Sequence, residues 1–275
     1  MKSSAHSKFL FILLLLAVAP IVGAHPLNPD PDTYVTPDRL FGFFLPNTVP
    51  QGVTLLTIDH RASAPAFDNP LEDGFGLDNG GFKIGLGLRH GFLDNLDAGF
   101  RRTNGVWENY DTYEGDIRYR LQREERRGVD LSLLCGFTWF YIPHQQDASG
   151  FYAGLSAGKS FARWLYLSTG FLAHTSSSYK IKPDTAEVFS VAVPIGLHLA
   201  LNKGMSLVAE STLPIAGYSA GYPSWACGLK FQTFNHTFSF FLSTTQYFTP
   251  DGIVCGSDRG ANPMLGFLIT RQFGQ

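Results

Sequence analysis

The sequence predicts an all-β chain: an up-and-down antiparallel transmembrane β-barrel of about 12 strands. Three observations carry this expectation. Apolar and polar residues alternate with period two in segment after segment. Most of these segments have roughly the 9–11 residues that a tilted membrane strand needs, where soluble strands run nearer five or six. The connections largely alternate between short and long, as they do when tight turns face one side of a membrane and loops the other.

Alternation is clearest in Gly81-Phe82-Lys83-Ile84-Gly85-Leu86-Gly87-Leu88-Arg89. Phe82, Ile84, Leu86 and Leu88 share one face, and Lys83, Gly85, Gly87 and Arg89 the other. A soluble sandwich would turn the charged face to bulk water; a membrane barrel turns it to a lumen. Composition fits the second. Of 275 residues, 16% are charged and 14% aromatic, with 29 Gly and 24 Phe. That is lean in charge and rich in glycine and aromatics for a globular domain.

Residues 1–24 read as a cleaved signal peptide. Lys2 and Lys8 precede an apolar run from Phe9 to Ala19, and Val22-Gly23-Ala24 offers small residues for cleavage. The apolar run is too short to span a bilayer as a helix, which takes about 20 residues. Loss of the two lysines takes the formal charge from −2 to −4, a balance that argues against a nucleic-acid partner. Residues 25–52 form a proline-rich segment, expected to be periplasmic, with one apolar patch, Leu40-Phe41-Gly42-Phe43-Phe44-Leu45. The patch suits an extra strand, a plug or a tether on the rim. The barrel is expected over 53–275.

Strand candidates run over 53–61, 82–89, 96–103, 112–121, 129–140, 150–158, 165–176, 188–200, 205–213, 224–233, 237–245 and 264–273. In 112–121, Tyr113, Ile117, Tyr119 and Leu121 oppose Thr112, Glu114, Asp116, Arg118 and Arg120. In 188–200, Phe189, Val191, Val193, Ile195, Leu197 and Leu199 oppose small residues and His198. Two details strain the pattern. Pro194 lies inside a strand, where proline normally marks an edge or a bulge. Phe241 breaks the alternation of 237–245 by standing with Ser239 and Ser243. Aromatics gather near strand ends, among them Trp107, Tyr113, Trp139, Tyr141, Trp164 and Trp225, as in interfacial girdles.

The inward charges are the best functional lead. Lys83, Arg89, Arg101, Glu114, Asp116, Arg118, Arg120, Glu210 and Lys230 are the expected lumen-lining residues, with Asp97 and Asp130 beside them. Six of these are positive and five negative. Near-balance favours a lattice of paired charges over a strongly ion-selective pore. Twelve strands lie between small barrels filled by side chains and wide aqueous porins, so open and plugged lumens both remain. Arg102 and Arg271 fall on the lipid face but near strand ends, where long side chains reach the interface.

From His60-Arg61, through Phe75-Gly76-Leu77-Asp78 and the Gly81 strand, the chain resembles a family of exported Gram-negative bacterial proteins described as a membrane-bound β-barrel domain of unknown function. The resemblance continues at Asp116-Ile117-Arg118-Tyr119-Arg120-Leu121, Phe238-Ser239-Phe240-Phe241-Leu242-Ser243 and Gly266-Phe267-Leu268-Ile269-Thr270-Arg271-Gln272-Phe273. It covers about residues 50–273. It implies an outer-membrane barrel and no particular chemistry. The implied partners are outer-membrane lipid, the barrel-assembly machinery that reads an aromatic last strand, and a small solute of unknown identity.

Other chemistry is weakly signalled. Gly154-Leu155-Ser156-Ala157-Gly158 has the spacing of a nucleophile elbow but leads into a turn and another strand, not a helix. His174 and His198 sit on neighbouring strands, one expected inside and one outside. Cys135 and Cys227 read as small apolar residues on lipid-facing positions, and Cys255 lies in the last long loop. No histidine or cysteine spacing suits a metal, and no cofactor is expected. The leading expectation is a narrow channel or transporter for small solutes, entered past 62–81 and 246–263, and not an enzyme. A scaffold barrel with a plugged lumen, whose loops bind a partner, is the alternative; a barrel-embedded hydrolase using Ser156 is the remote one.

Overall fold

The computed structural model describes residues 38–67, 81–105, 111–141, 148–176 and 189–274. The expected signal peptide lies outside them. Twelve strands follow one another: β1 (Thr54–Ala62), β2 (Phe82–Leu93), β3 (Leu96–Thr103), β4 (Asp111–Gln122), β5 (Asp130–Tyr141), β6 (Ala148–Ala162), β7 (Leu165–His174), β8 (Ser190–Asn202), β9 (Met205–Gly217), β10 (Ser224–Gln232), β11 (His236–Ser243) and β12 (Met264–Phe273). Each pairs antiparallel with its chain neighbours, and β1 pairs with β12 from Thr54↔Phe273 to Arg61↔Gly266. The sheet therefore closes with no free edge, which is what a lipid-exposed sheet requires because lipid offers no hydrogen bonds.

Among the described residues two one-turn helices lie in connections: α1 (Glu124–Arg127) between β4 and β5, and α2 (Pro250–Ile253) between β11 and β12. Among the described residues no helix is long and apolar enough to cross a membrane.

Burial alternates along the strands as the sequence pattern requires. The outer face carries Leu86, Leu88, Phe100, Ile117, Phe137, Phe151, Phe171, Ile195 and Phe240, each about half or more exposed. A belt of this extent far exceeds the apolar patches that soluble monomers expose; it is a surface for lipid. Cys135 and Cys227 lie exposed within it. Arg102, near one rim, pairs with Asp111 at 2.6 Å. Tyr113 and Trp139 meet at 5.1 Å near the same rim.

Pro194 is accommodated by a local gap. β7 and β8 pair at Thr169↔Ile195 and again at Leu172↔Ala192, with Pro194 between. The Pro194 carbonyl instead accepts the Thr169 hydroxyl at 3.0 Å. His174 is fully buried inside the barrel along with His198's ring nitrogen. The expectation of one histidine on each face was wrong because His174 has the same parity as the inward-facing Ser168 and Leu172.

Candidate functional site in the barrel interior

The barrel is filled. Residues 38–45 turn back on themselves: Leu40 N–H donates to the Phe43 carbonyl at 2.9 Å and Leu45 N–H to the Asp38 carbonyl at 3.0 Å, with Arg39 bridging Phe44. This hairpin lies within the lumen. The described part of 25–52 is thus largely internal, and of the three roles open to Leu40–Leu45 the structure shows the plug. Leu40, Phe41, Phe43 and Leu45 pack on Val208, Ala226, Phe241 and Leu268; Phe44 packs with Leu134, Tyr152 and Leu172. Phe41 stacks on Phe241 at 4.2 Å. The residue that broke the alternation of its strand is the floor on which the plug rests.

A second segment enters the lumen from the other end. After β11 the chain turns inward, and Phe248 through Ser257 are buried. The expectation that 246–263 forms an entrance fails for this stretch: its apolar Phe248, Ile253, Val254 and Cys255 leave water by folding into the lumen. Ile253 meets the hairpin tip at Gly42, where a Cβ would sit 2.7 Å from its Cδ1. Arg61 joins the two segments. It donates to the Tyr247 carbonyl at 2.8 Å and to the Phe41 carbonyl at 3.0 Å.

The expected lumen residues divide into two groups. Seven lie on β2–β4, and five of these form one lattice. Arg89 reaches Asp97 and Asp116, both at 2.5 Å, and lies 3.5 Å from Asp38. Arg118 binds Asp97 at 2.6 Å and donates to the carbonyls of Asp38 and Leu45, both at 2.8 Å. Arg101 lies 3.6 Å from Glu114, which also faces Arg39 at 4.0 Å. Glycines give these long side chains room: a Cβ on Gly99 would sit 2.6 Å from the Arg89 guanidinium. Arg120 pairs with Asp130 nearer the short turns. Lys83 stands 4.8 Å over the Tyr247 ring.

Glu210 and Lys230 are on the opposite wall. Glu210 accepts the backbone N–H groups of Phe41, Gly42 and Phe43 at 2.9–3.1 Å. Three successive amides around one carboxylate form an anion nest, here at the hairpin tip. At the hairpin's base, Val49 N–H donates to Asp97 at 2.7 Å and the Thr48 hydroxyl to the Asp94 carbonyl. Burial alone would raise the Asp38 carboxyl, but Arg39, Arg89, Arg118 and Arg101 outweigh it and hold it well below the ordinary carboxylate range.

Sequence reading missed Asp38, Arg39, Asp59, Arg61, Phe241 and Phe248 as parts of this interior. Inward parity on β1 could have found Asp59 and Arg61; the broken alternation at Phe241 was a visible signal. Two cavities beside the plug measure about 20 and 10 Å³. A single water needs about 10–15 Å³, so neither is a passage. Ser156 hydrogen-bonds Ser132 at 2.8 Å. His174 is engaged by Thr138 and the Ser176 amide, and neither it nor His198 contacts the Ser156 hydroxyl. Among the described residues no cluster of three or more metal-ligating side chains occurs.

A closed antiparallel barrel with an apolar outer belt and a charged interior defines a membrane-spanning β-barrel protein. The chain belongs to the family described as the membrane-bound β-barrel domain, whose model matches residues 47–273. Solved barrels share its shape at low identity. An outer membrane channel from Pseudomonas putida F1 is 11% identical with a TM-score of 0.52, covering 87% of this chain and 100% of that one. A KdgM porin in complex with disordered oligogalacturonate is 8% identical, TM-score 0.50, covering 80% and 99%. A NanC porin is 8% identical, TM-score 0.50, covering 81% and 100%. No curated relative matches the chain.

Proposed function

We propose that the protein is an outer-membrane channel for small solutes, exported through a cleaved signal peptide and closed at rest by its own N-terminal hairpin. The observation that carries this reading is the state of the charged wall behind the plug. Both carboxylate oxygens of Glu114 and of Asp59 are buried and accept no hydrogen bond; their arginines stand at 3.6 Å or more. Leaving a buried charge short of hydrogen bonds costs several kcal/mol, and a permanently sealed interior gains more from apolar filling. Water in an open lumen would satisfy these groups. The wall suits the open state better than the closed one.

The closed state is nonetheless the stable one. The hairpin buries five large apolar side chains, each worth roughly 1.5–3 kcal/mol at most. Opening then needs an agent that binds the displaced hairpin or the vacated lumen. The competing reading is the permanently plugged scaffold, which the burial of those side chains favours. Liposome swelling in small sugars separates the two. Proteoliposomes holding the mature chain without residues 38–48 are expected to swell rapidly, and those with the intact chain slowly. No swelling from the shortened chain, once folding is verified by heat-dependent gel mobility, would support the scaffold.

A further inference from the structure

We infer that the short-turn end of the lumen holds a binding site for a small oxyanion, built by Lys230, Ser239 and His198. This inference names a solute class for the channel proposed above and rests on that reading for its purpose, but its occupancy is testable without any transport. The interior cations Arg39, Arg61, Arg89, Arg101, Arg118 and Arg120 each have a carboxylate within 4.0 Å. Lys83 is engaged by Tyr247. Lys230 has neither kind of partner, although it is only 6% exposed. The inward carboxylate on the neighbouring strand, Glu210, is committed to three hairpin amides.

The groups around Lys230 are unengaged too. Ser239 is its direct partner across β10–β11; the Ser239 hydroxyl is buried with no hydrogen bond. His198 pairs with Val208, which pairs with Gly228, one inward position from Lys230. The His198 Nε2 is likewise buried and unbonded. An ammonium, a hydroxyl and an imidazole nitrogen thus share one region of wall. The first is a cation that only donates; the others can donate. A largely buried cation with no carboxylate at ion-pair distance is costly, Asp38 and Glu210 acting on it only from further off, and an anion with two or more acceptor oxygens brought into contact lowers that cost. Carboxylate and phosphate both have that chemistry. The site lies on the wall away from the arginine lattice of β2–β4, whose guanidinium groups are already neutralised.

The test uses the intact mature chain in detergent, with ¹⁵N-labelled histidine and the His198 signal assigned through a His198→Gln variant. Sodium phosphate and sodium acetate are titrated separately against sodium chloride at equal ionic strength. The site predicts a saturable His198 shift with at least one of them; which one identifies the ligand class. Lys230→Met should weaken that binding about tenfold or more, the loss of one charge-assisted contact, while Lys203→Met, on an exposed turn, should leave it unchanged. A second measurement guards against misfolding. Lys230→Met should unfold at a higher temperature than the wild type without anion, and the binding anion should raise only the wild type. Linear, unsaturable shifts with both salts, or saturation that persists in Lys230→Met, would overturn the inference. Either result leaves the swelling experiment free to decide the channel reading on its own.

Discussion

Glu210 shows how much one residue can hold. Its carboxylate accepts three successive hairpin amides, those of Phe41, Gly42 and Phe43. Replacing it with alanine removes the acceptor and leaves the amides buried, at a cost of about 3 kcal/mol or more for charge-assisted bonds of this kind. Arg39, in the same hairpin, is buried, so trypsin cuts there only when the hairpin leaves. Cleavage after Arg39 should therefore be slow in the wild type and faster in Glu210→Ala by roughly 100-fold or more, following the open population. An unchanged rate would mean the nest does not hold the hairpin. The same assay has a defined pH dependence. Asp38's carboxyl is depressed in the folded state, so its contribution is complete above the unfolded value near about 3.9 and is lost only as pH falls through the lower folded value. Lowering the pH from 7 to about 5 should not speed cleavage through Asp38. Neither Glu210's role nor Asp38's was legible in the sequence. The charge itself was, from parity; its partners are about 170 residues away in the chain, and no local pattern encodes that contact.

At the scale of the element, β2 is the strand whose alternation was plainest, and its glycines now have a reason. Gly85 lies under the Phe248 ring, and a Cβ there would enter it. Gly85→Val should push Phe248 and the inward-folded segment after β11 off the wall, costing roughly 1–3 kcal/mol as overpacking does. The thermal midpoint should fall, and backbone amides of Gly252 and Val254, bonded to Thr249 and Pro250 carbonyls, should exchange faster. Unaltered exchange would show that the segment does not depend on that contact. Strand positions were legible because lipid on one side and a polar lumen on the other impose period two on every crossing. Even β6 and β7, where both faces mix small and aromatic residues, fall within a few residues of expectation. Exceptions were the informative places. Phe241, Leu268, Leu134 and Leu172 point inward and are apolar because the lumen at that level is lined for a plug, not for water.

For the whole molecule, closure of β1 on β12 follows from an even number of antiparallel strands with no tolerable edge, and the sequence supplied the count. What it left open was the content of the lumen. A near-balanced set of inward charges is compatible with a pore and with a packed interior. Only the fold shows that the apolar run Leu40–Leu45, isolated among prolines, fills it together with the inward-folded residues 248–257. The structure thus combines a wall suited to water with a plug that excludes water. The most direct measurement is single-channel current in a planar bilayer for the intact mature chain and for the same chain lacking residues 38–48, both shown to be folded and inserted. The intact chain should be silent or nearly so, and the shortened chain should give stable, discrete steps. Equal currents from both would mean the hairpin does not close the lumen, and silence from both would contradict a channel closed by the hairpin.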